Sequence, residues 1–286
     1  MRDSIAVAMS GGVDSAVAAW LLRQQGEQPV GITMRLFAPE DLAPGQGERC
    51  HILEDIQDAQ AVAAQLGIPH HALDLSVPFR EQVMEPFVRA YEQGRTPNPC
   101  VTCNRTIKFG ALLEAAGQLG CGRLATGHYA RTERDAGSGR ILLKRAVHPE
   151  KDQSYVLWSL SQAQLERVCL PLGGLSKEEI RAIAEEQGLV SARRRDSQDI
   201  CFVPDGDYAA FLCHHTGRTY PPGPFCDPEG KVLGVHEGII HYTVGQRRGL
   251  KLSSNQGRLY VKEVCPQENR VVLSDNQALL HRGLEG

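Results

Sequence analysis

The sequence predicts an α/β fold, a doubly wound parallel sheet with a second, smaller, mainly β domain. Three observations carry that expectation. Short apolar runs alternate with amphipathic helical runs through the first half of the 286-residue chain, the pattern of parallel strands joined by right-handed helical crossovers. The first apolar run, Ile5-Ala6-Val7-Ala8-Met9, passes directly into the turn Ser10-Gly11-Gly12-Val13-Asp14-Ser15. After about Thr216 the helical pattern gives way to a proline- and glycine-rich break and short β-like runs.

Taken in order, residues 5–9 read as a strand, 13–25 as a helix and 29–34 as a second strand. Residues 53–66 place Ile56, Ala59, Ala63 and Leu66 near one helical face, and Gly67-Ile68-Pro69 closes that helix before a strand at 70–75. Residues 79–91 form an amphipathic helix, 106–119 another, and 123–126 a short strand. Residues 129–145 read as a hairpin turning at Gly137-Ser138-Gly139. Ser176-Lys177-Glu178-Glu179 has the form of a capping box, opening a helix that runs to about Gln187. Loops are expected at 38–49 and at 94–104, where Pro97 and Pro99 prevent continuous helix. Pro221, Pro222, Gly223 and Pro224 mark the break. Short β-like runs follow at 238–244, 259–264 and 270–273. The domains are therefore expected at 1–216, with a helical part at about 150–216, and at 217–286.

Composition narrows the class. At 42% hydrophobic residues the chain can bury a substantial core. A formal charge of −3 gives no general attraction for nucleic acid, so any such contact must come from local patches. Arg193-Arg194-Arg195, and Arg247-Arg248 with Lys251, are the candidates; each taken alone reads as a solvated surface run. No apolar stretch reaches membrane-spanning length, and no signal peptide is visible. The nine cysteines are odd in number and scattered. They read as thiols of a cytoplasmic protein rather than a disulfide framework.

The turn at 10–15 carries the first chemical signal. Gly11 and Gly12 lack a Cβ, so the backbone can bend sharply and approach a ligand. The helix that follows offers unpaired N–H groups and its positive dipole end to an anion. The Gly-Lys-Ser/Thr ending of a Walker A loop is missing. The string SGGVDS resembles the PP-loop of ATP pyrophosphatases, enzymes of the adenine nucleotide α hydrolase-like fold that cleave ATP between its α- and β-phosphates. Asp14 is either a Mg²⁺ ligand or a helix N-cap.

The second signal is Thr96-Pro97-Asn98-Pro99-Cys100-Val101-Thr102-Cys103-Asn104. A proline-stiffened Cys-x-x-Cys can hold a metal, form a redox disulfide or carry sulfur. A structural zinc site needs four ligands, and no second Cys-x-x-Cys completes one. Cys201 lies in a strand-like segment after a polar loop, and only the fold can bring it to Cys103. The other six cysteines read as small apolar fillers or loop residues. A nucleotide loop together with paired thiols points to sulfur chemistry activated by ATP.

Five blocks together resemble the tRNA-specific 2-thiouridylases, the MnmA/TrmU family, almost end to end. They are SGGVDS; Gly94-Arg95-Thr96-Pro97-Asn98-Pro99 leading to Cys103-Asn104 and Ile107-Lys108-Phe109; Thr126-Gly127-His128-Tyr129-Ala130; Lys151-Asp152-Gln153-Ser154-Tyr155; and His241-Tyr242-Thr243-Val244-Gly245-Gln246-Arg247. The resemblance implies adenylation of the C2 carbonyl oxygen of the wobble uridine, then displacement of AMP by sulfur. It assigns ATP contacts to Ala8, Met9, Ser10, Gly11, Gly12, Val13, Asp14, Ser15, Met34 and Gly127. It assigns tRNA contacts to Asn98, Pro99, Cys100, His128, Lys151, Asp152 and Gln153. Cys103 would be the nucleophile and Cys201 the persulfide carrier. Implied partners are ATP with Mg²⁺, tRNA acceptors for Lys, Glu and Gln, and a sulfur donor such as a cysteine desulfurase or a sulfur relay protein.

Two departures stand out. Many family members carry Asp where this chain has Cys100. With Cys100, Cys103 and Cys201 all thiols, a [4Fe–4S] cluster on three cysteines is an alternative to the persulfide route. The family also usually continues into a C-terminal β-barrel, whereas this sequence stops at Gly286. The competing functions are a PP-loop ligase of the amide-forming type, which needs no paired thiols, and a non-catalytic tRNA-binding module.

Overall fold

The computed structural model describes residues 4–45, 52–192, 194, 199–252 and 258–280. The chain forms two compact units, one drawn from Met1–Pro39, Arg49–Val83 and Pro99–Cys201, the other from Glu40–Glu48, Met84–Asn98 and Phe202–Gly286.

The first unit holds strands β1 (Ser4–Ala8), β2 (Pro29–Arg35), β3 (His70–Asp74), β4 (Cys121–Ala125), β5 (Ala130–Arg134), β6 (Ile141–Arg145) and β7 (Val168–Cys169). Five of them make an all-parallel sheet in the order β3-β2-β1-β4-β7. Successive β1 side chains point to opposite faces. Ile5, Val7 and Met9 join a core with Leu22, Val62 and Ile180, which belong to helices α1 (Val13–Gln24), α2 (Ile52–Leu66) and, later in the chain, Lys177–Glu186. Ala6 faces the other way, in a core with Ile32, Leu124, Phe109, Leu112 and Leu157. A fully buried Ile, Leu or Phe stabilises by roughly 1.5–3 kcal/mol, so these two layers hold the sheet between its helices. The two-residue β7 was not legible in the sequence. The 129–145 hairpin is present, with β5 and β6 antiparallel.

Strand order reverses between β1 and β4. Ligands of open α/β sheets bind at such a switch point, beyond the carboxyl ends of the strands. Residues 10–15 leave β1 there, and residues 126–129 leave β4 beside them.

The expected 79–91 helix is longer. Helix α3 (Ser76–Phe79) continues through a π-wound stretch, Arg80–Met84, into α4 (Glu85–Glu92). The second proline-bounded helix also departs from expectation. It starts at Pro99 rather than at 106, as α5 (Pro99–Cys103), a π-wound stretch Asn104–Ala111, and α6 (Leu112–Gln118). Pro99 starts the helix because a first-turn residue has no intrahelical use for its N–H. Helix α7 (Gln162–Leu165) and helix α8 (Lys177–Glu186) both open on capping boxes. In α8, Ser176 Oγ accepts from Glu179 N (3.1 Å) and Glu179 Oε2 accepts from Ser176 N (2.7 Å).

The second unit contains α9 (Tyr208–Thr216) and strands β8 (Gly223–Cys226), β9 (Val232–His236), β10 (Tyr260–Cys265) and β11 (Arg270–Ser274), in the order β10-β11-β8-β9. The sequence places the change of character at 217, whereas the compact units change over at 201/202. Rings explain the difference: Phe87 lies 5.2 Å from Phe202 and 6.0 Å from Phe211, and Tyr91 stacks on Tyr208 at 6.2 Å. Residues 84–98 and α9 are thereby packed with the β strands. Two readings are corrected here. Gly223 and Pro224 belong to β8 rather than to a break. Residues 238–244 form no strand; Ile239–His241 is a 3₁₀ turn, and the Tyr242 ring packs edge-on against Phe225 at 5.1 Å.

Candidate functional site

The glycine loop is shaped by a backbone that only glycine tolerates and by its own serines. Gly11 has φ +72°, and a Cβ there would stand 2.7 Å from the Asp55 carbonyl oxygen and 2.9 Å from the Arg194 guanidinium. Arg194 bridges Asp55 and Asp58 on α2, so it is paired rather than simply solvated; Arg193 and Arg195 lie outside the described residues. Ser10 N donates to Ser15 Oγ (3.1 Å), and Ser15 Oγ donates to the Gly12 carbonyl (3.0 Å). Gly12 is the N-cap of α1, and no side chain caps it. First-turn N–H groups of α1 are thus presented at the switch point for an anion.

Asp14 does not cap the helix; it is the second residue of α1. Its Oδ1 accepts from Lys177 Nζ (2.7 Å) and from the Tyr129 hydroxyl (2.8 Å). Lys177 opens α8 and is the one buried lysine among the described residues. Gly127 closes the arrangement from β4: a Cβ at that position would stand 3.1 Å from Asp14 Cβ and 3.2 Å from Ser15 N. Ala8, Gly12 and Met34 are half-buried and Ser10 is exposed, whereas the Met9 and Val13 side chains are core residues that can offer a ligand only their backbone.

Cys100 and Cys103 lie three residues apart on α5, Cys103 as its last residue. Cys100 is exposed and Cys103 buried. Burial pushes the Cys103 thiol up to about 11, against the Lys108 charge, which pulls it down; Cys100 adds to the rise. Cys201 sits in a turn rather than a strand. It keeps accessible surface, yet protein crowds its sulfur on the remaining sides. Burial pushes its thiol well up, followed by the charges of Cys103 and Cys100, again against Lys108. The fold therefore brings the three sulfurs close enough to act on one another. A cluster does not fit them as they stand: among the described residues, no three Cys, His, Asp or Glu side chains are grouped to hold a metal.

The residues expected at tRNA divide. Lys151 and Asn98 are exposed. Pro99 is buried. Asp152 accepts from Ala146 N and Ser154 Oγ, both at 2.8 Å. Burial would raise its carboxyl, but those hydrogen bonds and the Arg145 charge hold it below the ordinary value. Gln153 Oε1 accepts from Tyr129 N (3.0 Å) and Gln153 N donates to the Tyr129 carbonyl (2.8 Å). These two side chains shape the loop. His128 is buried, with Nδ1 2.7 Å from Thr126 Oγ1 and Nε2 3.5 Å from Lys108 Nζ. Burial, then the Lys108 charge, lower its pKa well below the ordinary value, so it is neutral at pH 7.

The sequence alone assigns no role to Lys177, Tyr129, Lys108 or Gln164. Lys108 and Tyr129 lie inside the Ile107-Lys108-Phe109 and Thr126-Gly127-His128-Tyr129-Ala130 motifs. Lys177 stood inside the capping box, where its signal was absorbed by the helix start.

The family model described as the tRNA methyl transferase HUP domain matches residues 3–205, and that described as the tRNA methyl transferase PRC-barrel domain matches 209–275. Among curated relatives, a protein of Thermoanaerobacter sp. (strain X514) named tRNA-specific 2-thiouridylase MnmA 2 is 49% identical over 97% of this chain and 76% of its own length. The MnmA 2-thiouridylase of Trichlorobacter lovleyi is 50% identical over 99% of this chain and 77% of its own. That of Clostridioides difficile is 43% identical over 99% and 78%. Among solved structures, the U34-tRNA thiolase NcsA of Methanococcus maripaludis with its [4Fe–4S] cluster has a TM-score of 0.43 at 17% identity, over 76% of this chain and 71% of that one. A 4-thiouridine synthetase–RNA complex with bound ATP also scores 0.43, at 19% identity, over 71% of this chain and 46% of that one.

Proposed function

The chain belongs to the tRNA-specific 2-thiouridylase family, and on that premise we propose that it converts the wobble uridine of tRNA to 2-thiouridine at the expense of ATP. The single observation that carries this reading is a run of neighbouring groups within the first unit, linked by packing, a hydrogen bond and charge. The glycine loop packs on Gly127. The next residue, His128, meets Lys108 at 3.5 Å. Lys108 in turn acts on Cys103 and Cys201. A nucleotide held at the α1 N-terminus and sulfur held at the α5 helix would thus serve one base.

The chemistry then runs in two steps. Uracil O2 attacks the α-phosphorus of ATP, N3 loses its proton, and pyrophosphate leaves with the bonding electron pair. Backbone N–H groups of the 10–15 loop, with Met34 and Gly127 beside the nucleotide, orient ATP and its accompanying Mg²⁺. A Cys201 persulfide, loaded by an external donor, supplies sulfur. The Cys103 thiolate attacks Cys201 Sγ, the outer sulfur leaves with the S–S bonding electrons as hydrosulfide, and a Cys103–Cys201 disulfide forms. Hydrosulfide adds at C2, AMP leaves with the C–O electron pair, and N3 regains a proton. A dithiol reductant returns two electrons to the disulfide.

Asn98, Pro99 and Cys100 would line the flipped base. His128 would back that pocket, and the 151–153 loop would meet the tRNA through Lys151. Residues 1–216 would carry catalysis and 217–286 a supporting domain. The acceptors would be those for Lys, Glu and Gln.

The test is an incubation with tRNA, ATP and a cysteine desulfurase with cysteine, read by pyrophosphate release and by mass spectrometry of the nucleosides. The expected result is 2-thiouridine from the native chain, and pyrophosphate without 2-thiouridine from Cys103→Ala. ATP cleavage that depends on ammonia or an amine rather than on sulfur would replace this reading by an amide ligase.

A further inference from the structure

Lys108 is five residues past Cys103. In a regular α-helix that spacing turns two side chains about 140° apart. Here Asn104–Ala111 is π-wound, and i→i+5 hydrogen bonding sets the fifth residue one turn along on nearly the same face. The winding has external support. Gln164 Nε2 donates to the Arg105 carbonyl (3.1 Å) and to the Phe109 carbonyl (2.7 Å), while its Oε1 accepts from Ser161 N (2.9 Å). The ammonium is also aimed. His128 is neutral, so its Nε2 accepts from Lys108 Nζ (3.5 Å) while Nδ1–H donates to Thr126 Oγ1 (2.7 Å).

We infer that Lys108 is a positioning residue for the sulfur step: the π-wound stretch turns its ammonium to the Cys103 side, and the Thr126–His128 pair holds it there to balance negative charge on sulfur. This inference rests on the reading of Cys103 as the sulfur nucleophile. Cys103 and Cys201 are both held in the protonated form by burial, and Lys108 is the cation that opposes this at both sulfurs. The other titratable group acting on Cys103 is Cys100, and both of these thiols in turn act on Cys201. The neighbouring turn Ser154–Val156 adds only Tyr155, which is exposed, and α3 adds none.

The test uses the full chain without ATP or tRNA, so it stands apart from the thiolation assay. Methyl methanethiosulfonate labelling of Cys103 is followed at pH 8 by fragment-ion mass spectrometry, with Cys213 as the reference thiol. Lys108→Met should slow Cys103 labelling about tenfold, the change in thiolate fraction for one unit of thiol pKa, and Lys108→Arg should restore it to within about threefold. Cys213 should label at the native rate in both. Unchanged Cys103 labelling in a folded Lys108→Met protein would overturn the inference. So would equal slowing at Cys213, or slowing that Lys108→Arg fails to relieve, since either result would make Lys108 a residue of the fold.

Discussion

The Asp14 carboxylate of the glycine loop is bound by the Lys177 ammonium at 2.7 Å, across 163 residues of sequence. The Tyr129 hydroxyl shares the same oxygen at 2.8 Å. The side chain of Lys177 is 9% exposed and that of Asp14 32%. This pair is shielded, unlike the surface pairs Lys144–Glu133 or Lys251–Glu237, which contribute little. Removing one partner strands a charge. Lys177→Met should lower stability by about 2 kcal/mol in urea melts at unchanged m-value. Asp14→Asn combined with Lys177→Met should cost at least about 1 kcal/mol less than the two singles added. Strict additivity would show that the pair does not hold the loop.

Two glycines with nearly the same φ separate strain from contact. Gly11 has φ +72° and stands against Asp55, Asp58 and Arg194; Gly26 has φ +75° with nothing within 4 Å of a built Cβ. Gly26→Ala should cost only the left-handed penalty, about 1–2 kcal/mol. Gly11→Ala adds overlap with backbone and should cost about 1–3 kcal/mol more. It should also abolish the thermal shift that ATP gives the native chain, and Gly26→Ala should keep that shift. Equal costs at the two sites would mean that the loop yields freely.

The β1–turn–α1 start and the α8 capping box were legible because each is written within a few neighbouring residues. The start of α5 was hidden by prolines that read as loop, although a first-turn Pro99 suits a helix. The π winding at 104–111 could not be read, because no hydrophobic period announces it; Gln164, far along the chain, holds it. Cys201 read as strand from its apolar neighbours, yet it sits in a turn. His128 was expected at the tRNA from its motif and is buried under Phe109, at 6.2 Å between rings. Pairs such as Asp14–Lys177 leave no local trace. The compact units change over at 201/202 rather than at 217 because Phe87 and Tyr91 find their ring partners more than a hundred residues downstream.

His128 sets an acid limit on the fold. Burial holds it neutral in the folded chain, with a pKa well below 6.5. Below pH 6.5 the unfolded chain therefore binds a proton that the folded chain refuses, and stability falls as pH falls. The slope contributed approaches roughly 1.4 kcal/mol per pH unit. Urea melts between pH 7 and pH 5 should show this loss in the native chain and a shallower one in His128→Gln. Parallel slopes would mean that His128 is charged when folded.

Cys103 gives the opposite sign. Its folded thiol is raised to about 11, so between the ordinary thiol value and that point the folded chain keeps a proton that the unfolded chain has lost. The stability this contributes is present at neutral pH and is lost as pH rises toward about 11. The same shift governs reactivity, because the thiolate is the nucleophile. Methyl methanethiosulfonate labelling of Cys103 should climb about tenfold per pH unit from pH 7 to pH 10, with no plateau near the ordinary value of about 8.5. A labelling midpoint near 8.5 would show that solvent, rather than the packing around Asn104 and Ile107, sets the Cys103 proton.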